Sequence, residues 1–175
     1  TIAPFISSVT MTDNYHISVE FSEPIDSSAV SAENFYVIDS TENKTVKGKY
    51  LFSGNKRKSE YILAIADTLI AENSNYVVTE NIVDKYLNVN SYEVYEFVVS
   101  TKKDTLIPEI KSISSPFADK RIDFLKPSFT INFNDGVSET DFSSSLIMPK
   151  YRWNYIKEND ASFIINILEE IEPNK

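Results

Sequence analysis

Three stretches of this chain occur twice, in the same order. Pro4-Phe5-Ile6-Ser7-Ser8-Val9 returns as Pro108-Glu109-Ile110-Lys111-Ser112-Ile113, an offset of 104. Ile17-Ser18-Val19-Glu20-Phe21 returns as Phe129-Thr130-Ile131-Asn132-Phe133, an offset of 112, so the preceding turn gains eight residues. Tyr61-Ile62-Leu63-Ala64-Ile65 matches Phe163-Ile164-Ile165-Asn166-Ile167. A unit that repeats after about a hundred residues fits one β-sandwich per repeat, strung in line. With 175 residues the chain holds one such unit and part of a second.

Each repeated stretch alternates in polarity. Ile17, Val19 and Phe21 lie between His16, Ser18 and Glu20. This is the period of a strand with one buried face and one wet face. Runs of the same kind at 5–11, 35–38, 45–52, 61–66, 76–79 and 93–99 complete seven expected strands in the first hundred residues. Turn formers separate them: Asp13-Asn14, Ser40 to Asn43, Ser53-Gly54-Asn55, Glu72 to Asn75 and Asn88 to Ser91. The one helical signal is a single turn after Asp26, and the acidic and Ser-rich segment Asp135 to Ser145 reads as turns. The expected class is therefore all-β: two consecutive immunoglobulin-like Greek-key β-sandwiches, the second truncated. The polar run Ser100 to Thr105 links them, giving modules at 1–103 and 104–175.

Composition narrows the function classes. Hydrophobic residues are 42% and aromatics 13%, enough for packed cores. A net charge of −9 repels phosphate backbones and anionic headgroups, so neither nucleic acid nor membrane insertion is expected. Without cysteine there is no disulfide, thiolate chemistry or Cys-based zinc site. No apolar run approaches the ~20 residues of a spanning helix. A chain that starts at Thr1 reads as a mature protein or a fragment.

Several segments carry a resemblance. Phe21-Ser22-Glu23-Pro24-Ile25-Asp26 after an alternating strand, then Asn34-Phe35-Tyr36-Val37, resembles the bacterial Ig-like domain of surface-layer proteins (the SbsA type). Leu69 to Tyr76, followed by Asn81-Ile82-Val83-Asp84 and Asn88, is similar to that family's closing signature, with Leu87 where the family has Gly. The likeness extends over residues 3–101 and partly over 106–175. It implies tandem, non-catalytic modules on the cell surface or outside the cell, in surface-layer proteins, adhesins or secreted polysaccharide-acting enzymes. There they act as spacers or binding platforms whose partners are neighbouring domains of the same chain, a surface glycan or a protein.

The candidate sites are few. The single histidine, His16, sits on the polar face of its strand and reads as a solvated side chain, which leaves no Ser-His-Asp arrangement or multi-His metal site to assemble. Carboxylates abound, but nothing marks a cleft that would set two of them about 5–9.5 Å apart for glycoside hydrolysis. No cofactor is expected; Asp135, Glu139 and Asp141, and separately Asp84 with Asn88, are oxygen-rich turns of a kind that suits calcium or serves simply as turn chemistry. Tyr151, Trp153 and Tyr155 alternate with Arg152 and Asn154, placing three rings on one strand face, either as core or as a sugar-stacking strip. Lys56-Arg57-Lys58 reads as a solvated hairpin tip, and Asn43-Lys44-Thr45 is a glycosylation sequon without expected use.

The leading expectation is a non-catalytic extracellular spacer or interaction module; the alternative is a carbohydrate-binding module or an accessory domain of a polysaccharide-acting enzyme. The first module's core is expected to include Ile17, Val19, Phe21, Phe35, Val37, Leu63, Ile65, Tyr76, Phe97 and Val99, with Tyr76 as a tyrosine corner. The repeat alignment carries Leu69 onto Ile171, so the natural protein is expected to continue for about 30 residues, two strands and their turn.

Overall fold

The computed structural model describes residues 2–71, 73–115, 125–146, 148 and 150–170. The turn expected at Glu72 is therefore only partly covered, and the expectations placed on 171–175 lie outside the described residues. The chain divides into two compact units, Thr1–Thr105 and Leu106–Lys175.

The first unit has seven antiparallel strands, matching the sequence periodicity one for one. They are β1 (Ile6–Met11), β2 (His16–Phe21), β3 (Phe35–Asp39), β4 (Lys44–Ser53), β5 (Glu60–Ile65), β6 (Ser74–Val83) and β7 (Val89–Val98), hydrogen-bonded in the order β1-β2-β5-β4-β3-β6-β7. Lys44 to Lys47 of β4 pair with β3, and Gly48 to Ser53 pair with β5. One strand thus passes from one layer of an immunoglobulin-like sandwich to the other. The passage occurs at Gly48, beside a register shift between Gly48 and Tyr50. A Cβ on Gly48 would lie 2.7 Å from the Ala32 carbonyl oxygen and 2.7 Å from Leu63 Cδ1, so the close approach there excludes any side chain.

Alternate residues of every strand meet between the layers. Ile17, Val19, Val37, Leu63 and Val77 are fully buried, and Phe21 meets Phe35 edge-on at 6.3 Å across the layers and Tyr61 edge-on at 6.3 Å within its own. Burial raises the Tyr61 hydroxyl to about 12, and the nearby Asp26 carboxylate adds to the shift. The open edge at β1 is secured to β7: Glu93 Oε2 accepts from Ile6 N at 2.9 Å and from Asn90 Nδ2 at 2.8 Å, and the same amide donates to the Pro4 carbonyl at 2.9 Å.

The core differs from expectation at one position. Tyr76 is half-buried on the outer face, because pairing with β3 sets Tyr76 opposite Ile38 and Val77 opposite Val37. The inward residues of β6 are Asn75, Val77 and Thr79, one residue out of phase with a tyrosine corner. Asp26 makes an Asx turn, accepting from Ser28 N at 2.9 Å, and the short 3-10 turn falls later, at Ala32–Asn34, capped by Ser31.

The second unit carries β8 (Ile110–Ser114), β9 (Ser128–Phe133), helix α1 (Glu139–Ser145), β10 (Trp153–Asn159) and β11 (Ser162–Ile167). Its sheet order is β10-β11-β9-β8. Set beside β4-β5-β2-β1, this is the same half of the sandwich in the same register. Ile17 faces Leu63 and Val19 faces Tyr61 in the first unit; Phe129 faces Ile165 and Ile131 faces Phe163 in the second. Even the irregularity recurs, between Ile6 and Ser8 and between Ile110 and Ser112. Where turns were expected, Ser138 caps α1, accepting from Asp141 N at 3.0 Å. Phe142 of that helix stacks flat on Phe163 at 4.0 Å and so covers the inner face over β9, β10 and β11. The β8 side stays bare: Ile110 and Ile113, which share the inner face with Phe133 and Ile131, are 55% and 61% exposed. Their counterpart Ile6 is 4% exposed.

Gly48→Ala is expected to cost about 1–3 kcal/mol by overpacking against backbone that cannot yield. Gly54→Ala, whose Cβ would meet only the flexible Glu60 side chain at 2.8 Å, is the matched control and should change stability far less. Urea denaturation of the two variants reads the difference. Equal midpoints would show that the strand crossing tolerates a side chain.

Candidate functional site

Polar side chains with defined partners cluster at the ends of the strands, and the turn that joins β1 to β2 is the most elaborate of them. Asp13 and His16 are 7% and 6% exposed. Asp13 Oδ1 accepts from Tyr15 N and His16 N at 3.0 Å each, which closes the turn and orients the carboxylate. The imidazole Nδ1 lies 2.9 Å from Asp13 Oδ1 and 3.1 Å from Oδ2. His16 is thus buried and paired, contrary to a solvated surface residue. It opens β2, opposite Ala64, where the turn folds back over the sheet end. The alternation gave the correct strand but could not show that the turn would cover its first residue.

The segment leaving β7 joins the same place. Asp104 N donates to Asn14 Oδ1 at 2.6 Å. Asp13, His16 and Asp104 then offer ligand atoms within 4.8 Å of one another, the one group of three such side chains among the described residues. Sequence reasoning missed it because Asp104 is 88 positions from His16 and read as linker.

The residues named as calcium candidates each have a local hydrogen-bond partner. Asp135 is buried and accepts from Gly136 N at 2.6 Å; Asp141, in the first turn of α1, accepts from the Ser138 hydroxyl at 2.6 Å; Glu139 accepts from the Tyr155 hydroxyl at 3.4 Å and faces Lys157 Nζ at 3.8 Å. Asp84 is a turn staple. Its Oδ1 accepts from Tyr86 N at 2.8 Å and Asn88 N at 2.9 Å, and its Oδ2 from Asn88 Nδ2 at 2.7 Å. Burial acts to raise the Asp84 carboxyl, but the Asn88 amide and the backbone donors of Asn88 and Tyr86 outweigh it and hold it below the usual carboxylate range.

The aromatic trio divides. Trp153 and Tyr155 alternate on β10 and turn inward, their rings 6.4 Å apart, and Tyr155 meets Phe142 edge-on at 5.3 Å. Tyr151 precedes the strand and is exposed. The Lys56-Arg57-Lys58 hairpin tip is held by Lys58, whose Nζ donates to Ser27 Oγ at 2.7 Å. No helix among the described residues is long and apolar enough to cross a membrane.

Comparison with known proteins gives a family and a fold. The family model for the bacterial Ig-like domain matches residues 1–99. The structure is similar to that of the surface layer protein SbsC, domains 1–6, with a TM-score of 0.52 and 14% identity over 96% of this chain and 24% of that one. It is also similar to the N-terminal part of the bacterial S-layer protein SbsC, with a TM-score of 0.51 and 16% identity over 95% of this chain and 41% of that one. The chain therefore spans less than half the length of either structure. No curated protein matches it significantly.

Leu87 sits in the Asp84 turn at φ 65°, left-handed backbone that glycine adopts without penalty. Its side chain is 76% exposed, so packing returns little. Placing a branched side chain there costs about 1–2 kcal/mol, of which glycine's greater unfolded-state entropy takes back up to about 1. Leu87→Gly should therefore stabilise the first unit by about 0.5–1 kcal/mol, read as a higher melting temperature. A lower one would mean that Leu87 makes a contact worth more than its strain.

Proposed function

This chain belongs to the bacterial Ig-like domain family through residues 1–99, and on that premise we propose that it is a non-catalytic spacer, one stretch of a series of sandwich modules that holds other domains away from a cell surface. One observation carries the reading: the strand order, register and edge bulge of half the first unit recur in the second. A surface built for chemistry differs from neighbour to neighbour, whereas a spacer gains length by repeating one packing solution. The chemistry of the side chains supports the same reading. The conspicuous carboxylates accept hydrogen bonds from their own turns, and the aromatics of β10 are used in packing. The likeness to multi-domain surface-layer structures supports a place at or outside the cell surface, with neighbouring domains as the natural partners. We read the second unit as a further module of this kind, with β8 exposing the face that β7 covers in the first.

Two measurements test this. A glycan array run on the chain and on Trp153→Ala should give no reproducible sugar signal for either; a signal lost with the tryptophan would favour a carbohydrate-binding role instead. Residues 1–105, produced alone, should melt in one cooperative transition. Residues 106–175 alone should melt broadly and bind a hydrophobic dye through the Ile110 and Ile113 face. A sharp, reversible transition in the second piece would show a complete domain and end the reading of it as a half-covered module.

A further inference from the structure

We propose that Asp13, His16 and Asp104 form a binding site for a single divalent transition-metal ion of the Zn²⁺ class, which fastens the segment leaving β7 to the turn between β1 and β2. The donor set is one imidazole nitrogen and two carboxylate oxygens, the composition that borderline ions such as Zn²⁺ accept and that all-oxygen calcium sites lack. The donors come from three places in the first unit (a turn, the first residue of β2 and the chain after β7) and lie within 4.8 Å of one another. In the metal-free site the imidazole Nδ1 and the Asp13 oxygens make a hydrogen-bonded pair at 2.9 and 3.1 Å, and an ion bonded by both at about 2.1 Å would take the place of that shared proton, the two ligands opening to about 3.4 Å apart around a tetrahedral centre.

The site is also oriented before any ion arrives. Tyr15 N and His16 N hold the Asp13 carboxylate, and the hydrogen bond from Asp104 N to Asn14 Oδ1 sets the third ligand beside the other two. Supporting hydrogen bonds of this kind fix ligand direction in metal sites. Charge points the same way. Two carboxylates face one imidazole with two of the three side chains buried, so even a protonated ring leaves a net negative charge that a divalent cation neutralises. Turns that do nothing more, such as those of Asp26 and Asp84, bring neither an imidazole nor a second carboxylate to the staple.

The chain's single histidine makes the test specific, because every imidazole signal comes from this place. The full 175-residue chain, stripped with EDTA, is titrated with Zn²⁺ alone and followed by calorimetry and by the ¹⁵N resonances of the imidazole. One ion per chain is expected to bind, with a large shift of one ring nitrogen and a higher melting temperature. Asp104→Asn keeps the size of the side chain and lies outside the sheets; it should weaken binding by about 10-fold or more and reduce the rise in melting temperature that Zn²⁺ produces. Imidazole resonances that do not move at saturating Zn²⁺ would overturn the proposal and leave the cluster an ion pair only. Equal affinity in Asp104→Asn would overturn it too, by placing the bound ion elsewhere on the acidic surface.

Discussion

Strand β4 gives one part of its length to each layer of the first unit, and the rest of that unit is arranged around the point where it changes partners. A strand that leaves one sheet for another must bend and admit a neighbouring backbone closely. Gly48 allows both: the Ala32 carbonyl and the Leu63 methyl approach where a side chain would stand. Because β3 and β5 are both hydrogen-bonded to β4, their inward residues are held in phase, and Val37 and Leu63 reach the same core from opposite layers. The phase of β6 then follows from β3, and that of β2 from β5. A one-residue slip at the crossing would turn whole strands inside out.

The second unit shows what the same sheet does when a helix takes the covering role. β10 is seven residues long where β4 has ten, and Phe142 lies against the face that β3 and β6 cover in the first unit. One stacked phenylalanine and its edge-on neighbours Phe133 and Tyr155 make a compact cluster over β9 to β11. That cluster includes no residue of β8. The exposure of Ile110 and Ile113 follows from that geometry, while the hydrophobic character of those two positions follows from the repeat.

Period-2 alternation made the strands and their inward residues readable, since each pattern reports directly on which face is buried. Seven strands fell where it placed them, and the stretches aligned by the repeat pair alike in the structure, Phe129 and Ile131 with Ile165 and Phe163 as Ile17 and Val19 with Leu63 and Tyr61. The misreadings share a cause. Tyr76 lies in a ten-residue strand whose phase is set by its partner β3 and not by its own run of Tyr, Val and Val. His16 follows the alternation and is buried by a turn, a contact local in space that no face pattern encodes. Helix α1 had a legible signal, Ser138 three residues before Asp141, but a seven-residue helix has too few turns for a periodicity to confirm it. The site residue Asp104 was illegible for a stronger reason: its partners are set by the closure of the whole sandwich.

Four of the chain's 26 acidic residues share a structural use that bears on how its carboxylates should be read. Asp13, Asp26, Asp39 and Asp84 each accept a hydrogen bond on Oδ1 from the backbone N–H two residues further on, at Tyr15, Ser28, Thr41 and Tyr86. This is the Asx turn, a local bond that redirects the chain as it leaves a strand, and it needs an acceptor there. Asn159 does the same between β10 and β11, toward Ala161 N. A sandwich with many short strands needs many such turns, and aspartate fills most of them. Negative charge therefore accumulates at strand ends without any ligand selecting it, so counting acidic residues in a loop says little about cation binding. What distinguishes the β1–β2 turn is the geometry beyond the staple. There an imidazole and a second carboxylate, delivered from the far end of the unit, meet an aspartate already fixed in direction by its own backbone.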